Sequence, residues 1–286
     1  MPKRFSTARG REFGDAVRAA IAGTGFTGRE ICEKIDWDPG KLSDLLHGKG
    51  GCTEVDLAIL LSFCRIDPEE RDHLLHLFRE TDLTVWWQHF ADQQAFRMRT
   101  FLEHLWKARE FVVWQPLVIP GLLQLPDYLR AIAAESVGLP ADEIEDRVSG
   151  RLAMQEVFRQ RLDCTFFLHE QVLWTQTGGD EVVRTQLHHL LEMSVRPYIH
   201  LRIVPFAAGA HAGMAGSFDL LRFDRIEPVV FLEAENSNLV IERKESVKDY
   251  EDILKALDRK ALGEEESRQL ITKLAAGKFA PSGQTP

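Results

Sequence analysis

The stretch "TGREICEKIDWDPGKLSDLLHGKG" (Thr27–Gly50) decides how the first part of the chain folds. Thr27 with Glu30 three residues later is the reciprocal pair that satisfies free N–H groups at a helix start. The helix it opens buries Ile31 and Ile35. Asp36, Trp37 and Asp38 leave room for only a short turn, after which Asp38 caps a new helix and Pro39 takes its first position, where a missing N–H costs nothing. In this second helix Leu42, Leu45 and Leu46 share one face and point inward. Gly40, Ser43, Asp44 and His47 then point outward, with Lys41 at the edge. Two short helices across a brief turn make a helix-turn-helix unit.

Working outward, three further helices frame this pair. Phe13, Val17 and Ile21 form an apolar stripe that Gly23 and Gly25 stop. A helix starting at Thr53 is expected to bury Val55, Leu57, Ile59, Leu60 and Phe63. A fifth starts at Asp67 and Pro68 and runs through Leu74, Leu75 and Phe78. The expected N-terminal domain is thus all-α, five helices over residues 1–82, with the third in the recognition position.

That position sets the candidate chemistry. Ser43 can bond either base type, Lys41 can reach a guanine or a phosphate, and Asp44 can only accept, for example from a cytosine amino group. Base-facing candidates are therefore Lys41, Ser43, Asp44, Gly40 and His47. Phosphate candidates are Arg9, Arg11, Arg29 and Lys49, helped by the Gly48–Gly51 loop and the start of the second helix. So few contacts suit a homodimer on paired half-sites of an operator better than a monomer. The same five helices could also serve protein contacts alone, because this geometry does not fix function.

Composition narrows the classes. The 286 residues are 44% hydrophobic and 28% charged, enough for two domains of moderate size. The net charge of −9 speaks against a molecule whose whole surface binds nucleic acid. Residues 1–51 carry nine Lys/Arg against seven Asp/Glu, a net of +2, so only this piece is basic. No apolar run of about eighteen residues or secretory leader occurs, which implies a cytoplasmic protein without a membrane span. Cys32, Cys52, Cys64 and Cys164 form no Cys-x-x-Cys pair and read as small hydrophobes.

Beyond the module, residues 83–110 read as a connecting helix rich in tryptophan and phenylalanine. Strand-like runs follow at 111, 164, 199, 217 and 228, alternating with helical stretches near 121–134, 141–160, 180–194, 246–260 and 264–275. This predicts a mixed α/β (α+β) domain over 111–276 and a flexible tail at 277–286.

Several blocks here carry a resemblance: "VIPGLLQLPDYLRAI" (118–132), "RLAMQEVFRQRL" (151–162), "FLHEQVLW" (167–174), "IHLRIVPFAAGAHAGMAGSFDLLRF" (199–223) and "VVFLEAENSNLVIERKESVKDY" (229–250). In this order they resemble the C-terminal domain of a large actinobacterial group of XRE-class helix-turn-helix regulators, including WhiJ-like and antitoxin-like members. Pro120-Gly-Leu-Leu-Gln124 is the most specific element. The resemblance spans residues 10 to about 275 and implies a lambda-repressor-like DNA-binding domain. It also implies a C-terminal domain of uncertain ligand and often a small partner protein encoded nearby. Members usually carry a Ser-Lys-Val-Ser-Arg-Ile-Glu-x-Gly pattern in the third helix. Here lysine and serine match, Asp44 takes the arginine position and Leu46 the glutamate position.

Other constellations are weaker. His188, His189 and Glu192 lie on one helix with no third metal ligand in view, and exposed polar residues are the plainer account. His169 beside Glu170 is one pair on adjacent strand residues, which face opposite sides. The small-residue loop around His211 lacks the Gly-Lys-Ser/Thr end of a phosphate loop. No cofactor, metal site or catalytic group is expected, and a non-enzymatic role follows.

Overall fold

The computed structural model describes residues 7–79, 81, 85–89, 99–137, 139–224, 226–234 and 237–277, giving only the backbone at 8, 9, 85–89, 99 and 100. By its contacts the chain divides into two units, Met1–Thr100 with Leu239–Arg243, and Phe101–Asn238 with Lys244–Pro286.

The N-terminal unit contains the five expected helices: α1 (Ala8–Gly23), α2 (Gly28–Ile35), α3 (Pro39–Leu46), α4 (Glu54–Cys64) and α5 (Pro68–Arg79). Each start has a local cause. Thr27 accepts from the Glu30 N–H at 3.3 Å while the Glu30 carboxylate accepts from the Thr27 N–H at 2.8 Å. Asp38 accepts from the Gly40 and Lys41 N–H groups at 2.8 and 3.2 Å, and Pro39 opens α3. Thr53 and Asp56 form a second capping box at α4. Asp67 caps α5 through the N–H groups of Glu69 and Glu70. Phe13, Val17, Ile31, Leu42, Leu45, Leu57, Leu60, Leu61, Leu74 and Leu77 close into one core.

Helix α4 corrects the expected packing. Leu57, Leu60 and Leu61 are buried, whereas Val55 is 70% and Ile59 48% exposed. The helix is apolar on nearly every side, so periodicity could not tell the core face from the outer one.

The connecting segment also differs from the single helix expected over 83–110. Strand β1 occupies Val85–His89 and helix α6 Arg99–Lys107, while 90–98 lie outside the described residues. Valine and tryptophan neighbours favour a pleated strand over a helix, where their branched or bulky side chains lose rotamer freedom. The aromatic side chains expected to pack at 86, 87 and 90 lie outside the description.

The larger unit is built on strands β2 (Glu110–Gln115), β3 (Asp163–His169), β4 (Ile199–Val204), β5 (Phe218–Arg222) and β6 (Val229–Glu233), in the order β6-β5-β2-β3-β4. β3 runs parallel to β2 (Val113 opposite Phe166) and to β4 (Phe166 opposite Leu201). β5 is antiparallel to both β2 and β6. The parallel pairs need crossovers: α7 (Pro126–Ala134) and α8 (Ile144–Met154) join β2 to β3, and α9 (Asp180–Ser194) joins β3 to β4. Phe111, Val112, Val113 and Trp114 are all buried, as a strand covered on both faces requires. β4 alternates instead, with Ile199 and Leu201 buried and His200 and Arg202 half-buried.

Two more helices, α10 (Lys244–Asp258) and α11 (Glu264–Gly277), complete the unit; α11 packs on α9 and β4. A seventh strand, β7 (Ser237–Ile241), was not expected, because its polar start gives no two-residue alternation. The fold is an all-α helix-turn-helix region followed by an α+β domain. The tail beyond 277 lies outside the described residues.

Candidate nucleic-acid interface

The turn between α2 and α3 is set by Asp36, which caps α2 in the left-handed conformation at φ 56°, and by Trp37, whose indole is buried in the core. The other end of α3 is held by close backbone approach. Gly14 of α1 leaves no space for a Cβ against the Leu46 carbonyl, and Gly48, at φ 64°, lies against the backbone of Gly10. Arg18 adds a side-chain cap, donating from Nη2 to the Leu46 carbonyl at 2.9 Å, where a cation also suits the negative end of the helix. Sequence reasoning passed over Arg18, Trp37 and Asp56, three residues that fix how α3 is presented.

The outward face of α3 matches the periodicity at four positions. Gly40, Ser43, Asp44 and His47 are all exposed. At Gly40 a Cβ would stand 2.7 Å from Asp38 Oδ1, so a bulkier residue would disturb the cap. His47 Nδ1 lies 2.6 Å from the Ser43 carbonyl oxygen. A carbonyl only accepts, so Nδ1 carries a proton and donates to it. Among the described residues the Asp44 carboxylate has no ion-pair partner.

Lys41 does not join them. Its ammonium lies 2.8 Å from Asp56 Oδ1 and 4.5 Å from the Trp37 ring centroid. The same Asp56 carboxylate accepts from the Thr53 N–H at 2.8 Å. Bonds from Lys41 and then Thr53 hold its pKa down to about 2. Lys41 thus braces α3 against α4.

The phosphate candidates separate in the same way. Arg11 pairs with Glu242 at 3.1 Å, with side chains only 13% and 7% exposed, so it faces into its unit. Arg29 reaches Glu33 at 3.3 Å, but at 87% and 67% exposure this pair holds the guanidinium loosely. Lys49 is exposed and makes no ion pair among the described residues. The Arg9 side chain lies outside the description.

The remaining face offers one hydroxyl, one carboxylate and one imidazole to a groove, with Arg29 and Lys49 as flanking cations. Such a set favours bases that present amino groups, the cytosine N4 or adenine N6, over the guanine acceptors that arginine and lysine prefer.

Elsewhere the weaker constellations have local partners. His169 Nδ1 accepts from the Gln171 N–H at 3.2 Å, and Glu170 accepts from the Phe206 N–H at 2.8 Å. His189 stands 3.8 Å from Glu192, and burial lowers its pKa.

Among the described residues no helix is long and apolar enough to cross a membrane. No curated protein matches the chain. Residues 12–74, which take in nearly all of the five helices, match the family described as a helix-turn-helix domain. Residues 98–273 match the family described as "Domain of unknown function (DUF5753)". Because that match covers more than half of the sequence, the chain belongs to this family and carries a helix-turn-helix domain ahead of it.

Proposed function

We propose that the protein is a sequence-specific DNA-binding transcriptional regulator of the XRE class, acting in the cytoplasm as a homodimer. Its α+β domain serves to receive an effector or a small partner protein and performs no catalysis. One observation carries this reading: a helix-turn-helix whose third helix is capped, braced at both ends, and left with Ser43, Asp44 and His47 outward. A helix kept that rigid presents its side chains to a major groove in one register. With few cations available, two copies on paired half-sites supply the affinity that one lacks.

The resemblance to actinobacterial regulators of the WhiJ-like and antitoxin-like kind supports the same assignment. It also motivates a second reading, an antitoxin-like module that sequesters a small partner and binds DNA weakly. The ion pairs that engage Lys41 and Arg11 favour it, since both were candidates to meet DNA.

Titration onto DNA from the region upstream of its own gene, at two salt concentrations, separates the two. The regulator reading expects a salt-dependent complex tighter than that with shuffled DNA; equal binding to both would leave only the second reading. Sedimentation of the complex should show two protein chains per operator.

A further inference from the structure

Strands β3 and β4 are parallel, so the segments that enter them come together at one edge of the sheet. A short 3-10 helix, Gln155–Gln160, leads into β3, and Arg196 and Tyr198 lie between α9 and β4. A cavity of about 520 Å³ opens between the two, within the size range of small-molecule sites. Its apolar part comes from Leu152, Met193, Phe158 and Tyr198, the last two with ring centroids 6.4 Å apart. The block at 151–162, one of those that carry the family resemblance, supplies one wall.

The charges that line this cavity are one-sided. Arg159, Arg161 and Arg196 stand against a single acid, Glu156, and that acid pairs with Arg159 at 2.7 Å. Two nearby acids do not line the cavity and have other neighbours: Glu192 stands 3.8 Å from His189, and Asp163 lies 3.2 Å from His200. Burial lowers the pKa of His189, so its ring adds little charge near neutral pH. Among the described residues neither Arg161 nor Arg196 has an ion-pair partner, and Arg196 Nη1 donates to the Tyr198 hydroxyl at 3.4 Å. Two unpaired guanidiniums at one cavity stand out in a chain of net charge −9, and they draw anions to it. Arg161 also holds a left-handed backbone at φ 55°, a conformation that glycine adopts without strain.

We propose that this cavity binds a small aromatic acid, its carboxylate or phosphate held by Arg161 and Arg196 and its ring against Phe158 and Tyr198. Guanidiniums grip either oxyanion through paired N–H donors, and aromatic side chains favour a further ring beside them. Both arginines are exposed, so the attraction is sensitive to salt. That such an acid is the effector read out on DNA rests on the regulator assignment; that it binds does not.

The test uses the full chain and no DNA, so its failure would leave the regulator assignment untouched. Calorimetric titration at pH 7.5 compares 2-naphthoate and 2-naphthyl phosphate with the neutral 2-naphthylmethanol and with octanoate, an anion without a ring. At least one aromatic anion should bind roughly tenfold or more tightly than both controls, and the tighter of the two names the anionic group. Its affinity should fall several-fold as salt is raised. Arg196→Gln and Arg161→Gly should each weaken it several-fold. Glycine suits the left-handed backbone at 161, so that variant keeps the fold, and thermal melts check both. Binding of neither aromatic anion, equal binding of 2-naphthylmethanol or octanoate, or affinity unchanged in either arginine variant would each overturn the proposal.

Discussion

The two units of this chain treat their charged groups in opposite ways. In the helical module two cations near the recognition helix are partnered: Lys41 braces α4 through Asp56, and Arg11 is buried against Glu242. In the α+β unit the Asp219 carboxyl has no hydrogen-bond or ion-pair partner among the described residues, while Glu233, on the same face of the sheet, is paired with Arg151. The first arrangement uses charge to hold a helix in place, and the second leaves one carboxyl of the sheet without a partner.

The largest expected effect concerns the brace. Leu45 is 1% exposed beneath the outward face of α3. Leu45→Ala should cost about 2–5 kcal/mol in urea unfolding of the module and remove DNA binding with it. A loss below about 1 kcal/mol would mean that α3 is not held by its core face.

Asp219 gives the contrasting test. Its folded pKa of about 7 lies above the usual aspartate range, so between about pH 4 and 7 the unfolded chain releases a proton that the folded chain keeps. Stability must therefore fall as pH rises through this window, with a slope of up to roughly 1.4 kcal/mol per pH unit from this group. Asp219→Asn should flatten that fall in thermal melts taken from pH 4 to 8. An unchanged profile would show that Asp219 is solvated in the folded state.

Phosphate contacts come next. Lys49→Ala should make the salt dependence of DNA affinity shallower by about 0.9 in the log–log slope, whereas Lys41→Met should leave the slope unchanged and lower stability instead. The reverse ranking would mean that Lys41 leaves Asp56 to meet DNA. The smallest effect is expected at Val55, 70% exposed on α4: Val55→Ser should change stability by no more than about 0.5 kcal/mol.

The module was legible because its signals are local. Capping pairs such as Thr27 with Glu30 and the leucines of α3 lie within a turn or two of each other, and each fell where the spacing put it. What the spacing could not show was the neighbour across a gap. Thr53 marked the start of α4, but the hold of Asp56 on Lys41 depends on how α3 and α4 pack. Val55 and Ile59 misled for a different reason, since an evenly apolar helix has no face to read.

In the α+β unit the order of strands and helices was visible, but the polar cluster was not. Arg151 and Glu233 are distant in sequence, and Asp219 comes beside Glu233 only through strand register. Nothing in "SFDLLRF" distinguishes its aspartate from an ordinary outward residue of an alternating strand. β1 and β7 were missed because neither alternates cleanly.

The claim that α3 reads bases through its outward acceptors is tested most directly by measuring affinity for the operator and for its single-base variants, with the wild-type chain and with Asp44→Ala. The account predicts that the wild type loses about 1–3 kcal/mol on changing one amino-bearing base and that Asp44→Ala no longer discriminates at that position. Affinity of the variant for shuffled DNA should be unchanged or slightly higher. Discrimination by Asp44→Ala equal to that of the wild type at every position would contradict it.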